Sequence, residues 1–288
     1  MTPAIDIHTH PVQIDELVRD DPALARAVRD VFGLKMPPQP LRTFLLHMDA
    51  AGIDRAVLLP IDCTTAHGCL IVSNEQVARL AETEPRFIGF ASVDPNLPDA
   101  PRTLDHAVRS LDLRGLKLDP ALQRFDIDDE RRAFPVYARA AELDIPLLIH
   151  CGHTWSPVGR AALAHPLRLE AVIQAFPTLK IVIAHFGWPW VNEAVMLALR
   201  YPTVHLDTSI LFSGSPSDAI RQALTTTIGL ETLDRSLSRQ VLFGSNYPRV
   251  DPKRVVRAID ELNLRPGLRQ RIFRDNAAAL LGLEEERA

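Results

Sequence analysis

Short apolar runs alternate with longer amphipathic stretches along the whole chain. The apolar runs are rich in Val, Ile and Leu, and Pro, Gly or Asp lies near most of their ends. Eight of them predict β-strands, at residues 4–8, 54–60, 86–93, 114–119, 146–151, 180–185, 203–208 and 240–245. Strands that are apolar almost without interruption are typical of a parallel sheet that is covered on both faces.

The stretches between the runs have the period of amphipathic helices. In the segment SNEQVARLAETEP, Val77, Leu80 and Ala81 fall on one face, which can cover one strand. Ser73 precedes this helix and Gln76 follows three residues later, a spacing that predicts an N-terminal capping box.

The regular alternation of strand and helix predicts an α/β fold. Eight βα units in 288 residues match the (β/α)8 or TIM barrel, which typically takes about 250 residues. We find no internal repeat or linker, so residues 1–288 are expected to form a single domain. Residues 11–50, around LKMPPQPL, are longer than a usual connection and predict an insertion after the first strand that forms a flap.

Composition narrows the classes of function. The chain is 47% hydrophobic with a formal charge of −4 and no basic block, which argues against a nucleic-acid partner and favours a small-molecule substrate. No apolar run reaches membrane-spanning length, and no signal-like leader precedes AIDIHTH, so we expect a cytoplasmic protein without a membrane partner. Cys63, Cys69 and Cys151 are too few for a disulfide framework.

Polar side chains follow several of the predicted strands at their carboxyl ends. His8 and His10 end the first strand, two residues apart, and His150 and His185 end the fifth and sixth. One histidine after an apolar strand is more often a hydrogen-bonded core residue than a ligand. Four histidines at the carboxyl ends of the strands, where barrel enzymes have their active sites, favour a functional centre.

Histidines in this arrangement suit a divalent metal ion. A catalytic ion takes about three imidazole or carboxylate ligands, keeps one position open and lowers the pKa of bound water towards about 7. A neighbouring carboxylate then ordinarily takes the proton from that water.

Six ordered motifs resemble those of the amidohydrolase superfamily. They are DIHTHP, GLKLDP, PLLIHCGHT, IVIAHFGWPW, LFGSNYP and DNAAALLGL. They are most similar to the amidohydrolase-related branch that includes aminocarboxymuconate-semialdehyde decarboxylase and its relatives. The resemblance implies that His8, His10 and His150 bind one divalent ion, zinc or alternatively manganese, and that His185 is the catalytic imidazole.

The motif on strand eight departs from the family pattern. The family has GSDYP or GSDWP, with the aspartate as metal ligand and proton carrier, and this chain has Asn246 in its place. A carboxamide does not act as a base near neutral pH. An introduced substitution, natural divergence and loss of catalysis remain three open explanations. The change predicts reduced metal occupancy, because the site loses one negative charge.

Other candidates surround this set. Lys117 is expected to bind a substrate oxygen or carboxylate or to pair with Asp119; a carboxylated lysine that bridges two metals is the alternative. Trp155 and Trp188 are candidates for a substrate wall, although GWPW is also a good helix start. Arg42, in the insertion, is a candidate for binding an anionic group.

The leading hypothesis is a metal-dependent hydrolase that acts on a small ester, lactone, amide or β-dicarbonyl through metal-bound water. The alternative is a non-oxidative decarboxylase of an aromatic or enoic acid. A second alternative is a metal-poor or inactive variant, because of Asn246. A homodimer is expected by analogy with other barrels alone.

Overall fold

The computed structural model describes residues 3–209 and 214–283. Residues 1–2, 210–213 and 284–288 lie outside this description, so the ends of the predicted domain are not covered. The strands are β1 Ala4–Thr9, β2 Ile53–Leu58, β3 Ile61–Cys63, β4 Cys69–Ile71, β5 Phe87–Gly89, β6 Leu116–Leu118, β7 Leu147–Ile149, β8 Ile181–Ile183, β9 Val204–Asp207 and β10 Val241–Leu242.

Eight of these strands form a parallel barrel, and β3 and β4 form a separate antiparallel hairpin. One parallel sheet has the order β1-β2-β5 and the other the order β10-β9-β8-β7-β6. Two joints close the ring. Ile7 N donates to Phe243 O at 2.9 Å, and Lys117 N donates to Ala91 O at 2.7 Å. Each of the eight predicted strands overlaps one barrel strand, so the predicted (β/α)8 architecture is confirmed.

Helices surround the barrel. They are α1 Asp15–Val18, α2 Pro22–Arg26, α3 Leu41–Ala51, α4 Thr64–His67, α5 Asn74–Thr83, α6 Ala100–Leu111, α7 Pro120–Gln123, α8 Phe134–Glu142, α9 Leu169–Ala175, α10 Val191–Arg200, α11 Pro216–Arg221, α12 Leu230–Arg235, α13 Pro252–Asp260, α14 Pro266–Gln270 and α15 Asn276–Leu281. The capping box expected before α5 is present, with Ser73 and Gln76 bonded reciprocally. Among the described helices, none is both long enough and apolar enough to cross a membrane.

The core has two layers, because side chains alternate along each strand. One cluster fills the barrel interior. Its residues on the strands, or directly after them, are Ile5, Ile7, Val57, Leu59, Ile88, Phe90, Leu148, Val182, Ala184 and Leu242. Residues of α15, including Leu280, pack against this cluster. The alternate strand residues, such as Leu147 and Ile149, pack in the larger cluster that the surrounding helices share.

The predicted insertion divides into two parts. Residues 11–40 form a segment of short helical turns. The Val31 carbonyl oxygen of this segment accepts from Ser156 in the loop after β7, so the segment contacts the carboxyl end of the barrel. Leu41–Ala51, by contrast, is α3, which packs as an ordinary barrel helix: Phe44 stacks on Phe87 and Tyr247 at ring-centroid distances of 5.2 and 4.3 Å. The extra segment is therefore shorter than residues 11–50, because α3 begins at Leu41 and completes the first βα unit.

Candidate active site

The HTH motif at the end of β1 brings two imidazoles together. His8 Nε2 lies 3.2 Å from His10 Nε2. His8 Nδ1 faces a carboxylate oxygen of Asp207 at 2.7 Å, and His10 Nδ1 faces the carbonyl oxygen of Leu59 at 2.9 Å. A carbonyl or carboxylate oxygen only accepts, so in each neutral ring Nδ1 carries the hydrogen and Nε2 has the free lone pair.

His150 and His185 form a second chain of hydrogen bonds. His185 Nδ1 donates to the carbonyl oxygen of Ser209 at 2.7 Å, so its Nε2 is free to accept. His150 Nδ1 lies 3.1 Å from that Nε2 and is the donor. His150 Nε2 is then a lone pair, and it is buried with no hydrogen-bond partner among the described residues. A buried acceptor without a partner is a place where a ligand or ion belongs.

All four imidazoles are neutral near pH 7. Burial lowers the pKa of His8, His10 and His185 well below the ordinary value, and it also lowers that of His150. Lone pairs on His8 and His10 that face each other at 3.2 Å repel, and a shared cation would remove this repulsion. The donor chemistry of the pair therefore fits a divalent metal ion.

Asp207, at the end of β9, accepts hydrogen bonds from both pairs of histidines, through the His8 ring and the His185 backbone. One of its oxygens accepts from His8, and the other accepts from the backbone N–H of His185 at 2.8 Å and of Ser209 at 3.1 Å. The Ser209 hydroxyl also donates to this second oxygen. A carboxylate that holds the distal nitrogen of a metal-binding histidine is a common arrangement, because it fixes the tautomer and the ring orientation.

The three predicted metal ligands are not equally close in this structure. Among the described residues, the group whose ligand atoms all lie within 4.8 Å of one another consists of His8, His185 and Asp207. The hydrogen bonds described above already use both carboxylate oxygens of Asp207. His10 and His150 are outside this compact group, so the two side chains have to move closer together to bind one ion with His8.

Asn246 lies beside the histidines with its backbone in the left-handed region. Its φ is +62°, a conformation that Asn and Asp adopt more readily than other non-glycine residues. Its N–H donates to the carbonyl oxygen of His8 at 3.0 Å, which fixes the loop after β10 against β1. The side-chain Nδ2 is buried and has no partner among the described residues. A donor is thus available where the family pattern has a carboxylate.

His185 and Gly152 also have positive φ angles and shape the loops around the site. His185 has a φ of +61°, and such strained conformations cluster at functional sites. Gly152 lies two residues after His150 and has a φ of +97°, and a Cβ there would lie 2.1 Å from the carbonyl oxygen of Trp188. The loops after β7 and β8 can therefore approach this closely only because residue 152 is glycine.

A small cavity lies at this end of the barrel. The residues of its lining that can do chemistry are His10, Lys117, Asp119, His150, His185, Asn246 and Arg249. Its volume is about 30 Å³, which is enough for about two waters at roughly 10–15 Å³ each. Phe32, from the extra segment, is part of the lining and packs edge-on against His10 at 5.0 Å.

A larger cavity, of about 800 Å³, opens elsewhere on the molecule. It lies at the amino ends of β1 and β2, where Ala4, Gly52 and Ile53 are part of its lining. None of its lining residues is a histidine or a cysteine. Because barrel enzymes place their chemistry at the carboxyl ends of the strands, the small cavity is the candidate active site in spite of its size.

The amidohydrolase family model matches residues 5–283, nearly the whole chain. The chain belongs to the amidohydrolase family.

The proteins that are similar to this amidohydrolase catalyse several different reactions. A candidate 2-pyrone-4,6-dicarboxylic acid hydrolase from Pseudomonas putida is 20% identical, with 99% of this chain and 100% of the other covered and a TM-score of 0.70. A 5-carboxyvanillate decarboxylase from Novosphingobium aromaticivorans, with bound manganese, is 19% identical, with 98% and 97% covered and a TM-score of 0.64. At these identities the likenesses show the fold alone.

A sequence relative has a third activity. The 2-keto-4-carboxy-3-hexenedioate hydratase of Sphingobium sp. is 27% identical over 133 residues, which is 40% of this chain and 39% of the hydratase. The amidohydrolase therefore aligns with about two fifths of the length of this curated relative.

Of the three predicted substrate-binding residues, one lines the cavity and two do not. Trp155 belongs to the cavity lining and is 49% exposed. Trp188 is half-buried outside the lining, edge-on to His153 at 5.7 Å. Arg42 is exposed on α3 and is also outside the lining. Of the two tryptophans expected to form a substrate wall, Trp155 lines this cavity and Trp188 does not.

Lys117 lies in the middle of β6 and is 1% exposed. Burial lowers the pKa of its ammonium, while the charges of Asp119 and Asp207 act in the opposite direction. It takes part in no ion pair within the described part of the chain. The carboxylate of Asp119 instead caps α7 by accepting from Leu122 N at 3.0 Å. The expected pairing of Lys117 with Asp119 is therefore not a direct contact.

Sequence reasoning missed two residues of this site. Asp207 ends the predicted strand TVHLDT, and a carboxylate in that position was a signal equal to that of the histidines. Arg249 lies three residues beyond Asn246, in a loop. Arginine in a loop is ordinarily exposed, so its position in the lining could not be read from the sequence.

Proposed function

We propose that this amidohydrolase hydrolyses a small carbonyl substrate with the help of one divalent ion. The observation that carries the proposal is the buried Asn246 Nδ2. It is a donor that no other described residue satisfies, and Asn246 lines the cavity together with Lys117 and three histidines. Donors that are fixed in position before reaction stabilise the negative charge that develops on a carbonyl oxygen during attack by water.

The ion belongs with the lone pairs of His8 and His10, with His150 Nε2 as the third ligand. When bound, it supplies Lewis-acid polarisation and acidifies water. The chain's own residues do the rest. Asn246 and Lys117 donate hydrogen bonds to the substrate oxygen. His185 Nε2 accepts from His150 Nδ1 in this structure. Once His150 moves to bind the ion, the lone pair released on His185 Nε2 accepts the proton that a carboxylate at position 246 would otherwise take.

A screen of small esters and lactones in H2¹⁸O tests the proposal. Hydrolysis places one ¹⁸O in the carboxylate of the product, which mass spectrometry detects. Lys117→Met and Asn246→Ala should each lower kcat by roughly 100-fold, the range for loss of one such donor. His106→Gln, on the exposed face of α6, is the matched control and should retain full activity.

A carboxy-lyase is the second candidate, and it is favoured by the two cations, Lys117 and Arg249, in the cavity lining. Such cations can hold the carboxylate that is lost. In the same screen, release of CO2 with uptake of one solvent proton on carbon, and no ¹⁸O in the product, would replace the hydrolase proposal by this one. An absence of any turnover in both this chain and its Asn246→Asp variant would favour the inactive alternative.

A further inference from the structure

Cys63 and Cys69 lie directly opposite each other in the hairpin of β3 and β4. The register of this antiparallel pair places Cys63 against Cys69 and Asp62 against Leu70. Opposite residues of an antiparallel ladder have Cα atoms about 4.5 or 5.5 Å apart, depending on whether the two residues are hydrogen-bonded to each other. Disulfides span Cα distances of about 4.4–6.8 Å. Either kind of pair can therefore form a disulfide without movement of the backbone.

The two thiols differ in exposure. Opposite residues of a ladder carry their side chains on the same face, and a thiolate at Cys69 is close enough to raise the pKa of Cys63. Both cysteines are free thiols in the described chain. Cys63 is fully buried, whereas Cys69 is partly exposed. The pair thus consists of one thiol that a small reagent can reach and a second, buried thiol beside it.

The hairpin supports two parts of the active-site wall. Gln123 Nε2 donates to Asp62 O at 2.8 Å, and Gln123 Oε1 accepts from the N–H of the lining residue Asp119 at 2.7 Å. In addition, β4 packs against residues 27–32 of the extra segment, which include the lining residue Phe32. A change in the hairpin therefore reaches the lining through one hydrogen-bonded side chain and one packed segment.

We propose that Cys63 and Cys69 are a site of reversible oxidation, at which a disulfide between them fastens the hairpin. The oxidant is a small disulfide, such as oxidised glutathione. Cys69 loses its proton and attacks one sulfur of the oxidant, which releases one glutathione thiol and leaves a mixed disulfide. Cys63 then attacks the Cys69 sulfur, and the second glutathione leaves with the proton that Cys63 loses. The two protein thiols give up two electrons and two protons in total, and the small disulfide is reduced to two thiols.

The order of attack follows from exposure and from thiol acidity. Burial raises the pKa of both thiols, and raises that of Cys63 the more. The thiolate is the attacking form, so Cys69 reacts first and Cys63 resolves the mixed disulfide. Cys151 is also fully buried, and burial raises its pKa. We expect Cys151 to remain a thiol.

Alkylation after oxidation tests the site in the whole chain. The protein is equilibrated with oxidised glutathione at mildly alkaline pH and then unfolded in N-ethylmaleimide, and the adducts are counted by mass spectrometry. The chain has three cysteines, so the reduced form takes three adducts. We expect the oxidised form to take one, at Cys151, and to regain three after reduction. Trypsin leaves Cys63 and Cys69 together in residues 56–79, so the disulfide gives one peptide that is lighter by two hydrogens.

Two variants separate this site from a single reactive thiol. Cys63→Ala removes the resolving thiol and should retain one glutathione on Cys69 as a stable mixed disulfide. Cys151→Ala is the matched control and should form the hairpin disulfide to the same extent as the unchanged chain. Three outcomes in the unchanged chain would each overturn the inference: a mixed disulfide that persists at Cys69, a bond between the Cys69 residues of two chains, and three free thiols at equilibrium.

The expected consequence of the bond is a stiffer hairpin. The disulfide closes the short loop of residues 64–68 and restricts its open states, so hydrogen exchange at residues 61–71 should slow by roughly 10-fold in the oxidised form. Helix α13 should exchange equally in both forms. If the bond forms and exchange at residues 61–71 is unchanged, the disulfide does not fasten the hairpin, and that half of the inference is overturned.

Discussion

Asp207 Oδ2 and His8 Nδ1 form a hydrogen bond of 2.7 Å between two side chains that are fully buried. Through it, a carboxylate at the end of β9 determines which nitrogen of the β1 histidine carries the hydrogen. The lone pair on Nε2 is thereby directed towards His10. The arrangement prepares His8 as a ligand, since metal-binding histidines usually donate their other N–H to a carboxylate or carbonyl.

Asp207→Asn should weaken metal binding by about 10- to 100-fold, the usual cost of losing such a partner. The carboxamide keeps the shape of the side chain and no longer enforces the tautomer of His8. Zinc and manganese affinities are measured by competition with a chromophoric chelator. Asp99→Asn, on the exposed surface at the start of α6, is the control. Equal affinities for the Asp207→Asn variant and the unchanged protein would show that Asp207 is structural only.

The third metal ligand can be identified by comparing two histidines. His150 Nε2 has no hydrogen-bond partner in the described part of the chain, whereas both nitrogens of His185 are hydrogen-bonded. We therefore expect His150→Gln to lower metal stoichiometry after dialysis much more than His185→Gln does. Elemental analysis of both variants decides the point. A greater loss in His185→Gln would instead support the compact group of His8, His185 and Asp207.

Asn246→Asp should raise metal retention. The side chains have almost the same shape, both tolerate the φ of +62°, and the new carboxylate supplies one negative charge to three neutral ligands. Metal per chain after dialysis, and initial rates with an identified substrate, are measured for both forms. A faster Asp form would identify Asn246 as a disabled proton carrier. A faster Asn form would show that this amidohydrolase activates water through another residue.

The sequence predicts the barrel well because the strands are specified locally. Apolar runs, helix period and the Ser73 capping box are all short-range signals, and each has a direct structural consequence. The histidines at strand ends were also predictable, since the carboxyl ends of parallel strands meet at one edge.

Features that depend on tertiary contacts could not be predicted from the sequence. The roles of Asp207 and Arg249 depend on which loop ends lie beside β1, and Arg249 comes into contact with Phe32 across 217 residues of sequence. Arg42 was selected because it belongs to the insertion, but its helix turns that side chain to solvent. The conformation of residues 11–40 similarly depends on contacts with distant loops, which no local pattern contains.

Ser156→Ala should loosen the extra segment over the site. The Ser156 hydroxyl donates to Val31 O at 2.6 Å and thus ties the segment to the loop after β7. Loss of one hydrogen bond worth about 1 kcal/mol increases the opened population about five-fold. Hydrogen exchange at residues 27–34 should accelerate accordingly. Thr103→Ala, which removes a similar hydroxyl bond from exposed α6, is the control. Unchanged exchange would mean that other contacts hold the segment.

His205 should make the fold less stable in mild acid. It lies on β9, and burial lowers its pKa from 6.5 to about 4. Between these values the unfolded chain binds a proton that the folded chain excludes, so the free energy of unfolding falls as the pH decreases from about 6.5 to about 4. At about 1.4 kcal/mol per pKa unit, and with partial exposure reducing the effect, His205 contributes about 2 to 3 kcal/mol to this fall.

His205→Gln removes this titration, and the site histidines remain in both proteins. The difference in unfolding free energy between the two, from urea denaturation at intervals between pH 4 and 8, should therefore be constant above about pH 6.5 and shift in favour of the variant below it. Thr103→Ala, in exposed α6, changes no titrating group and should show a constant difference throughout. If His205→Gln also gives a constant difference, the ring is protonated in the folded protein as readily as in the unfolded chain, and burial on β9 does not control it.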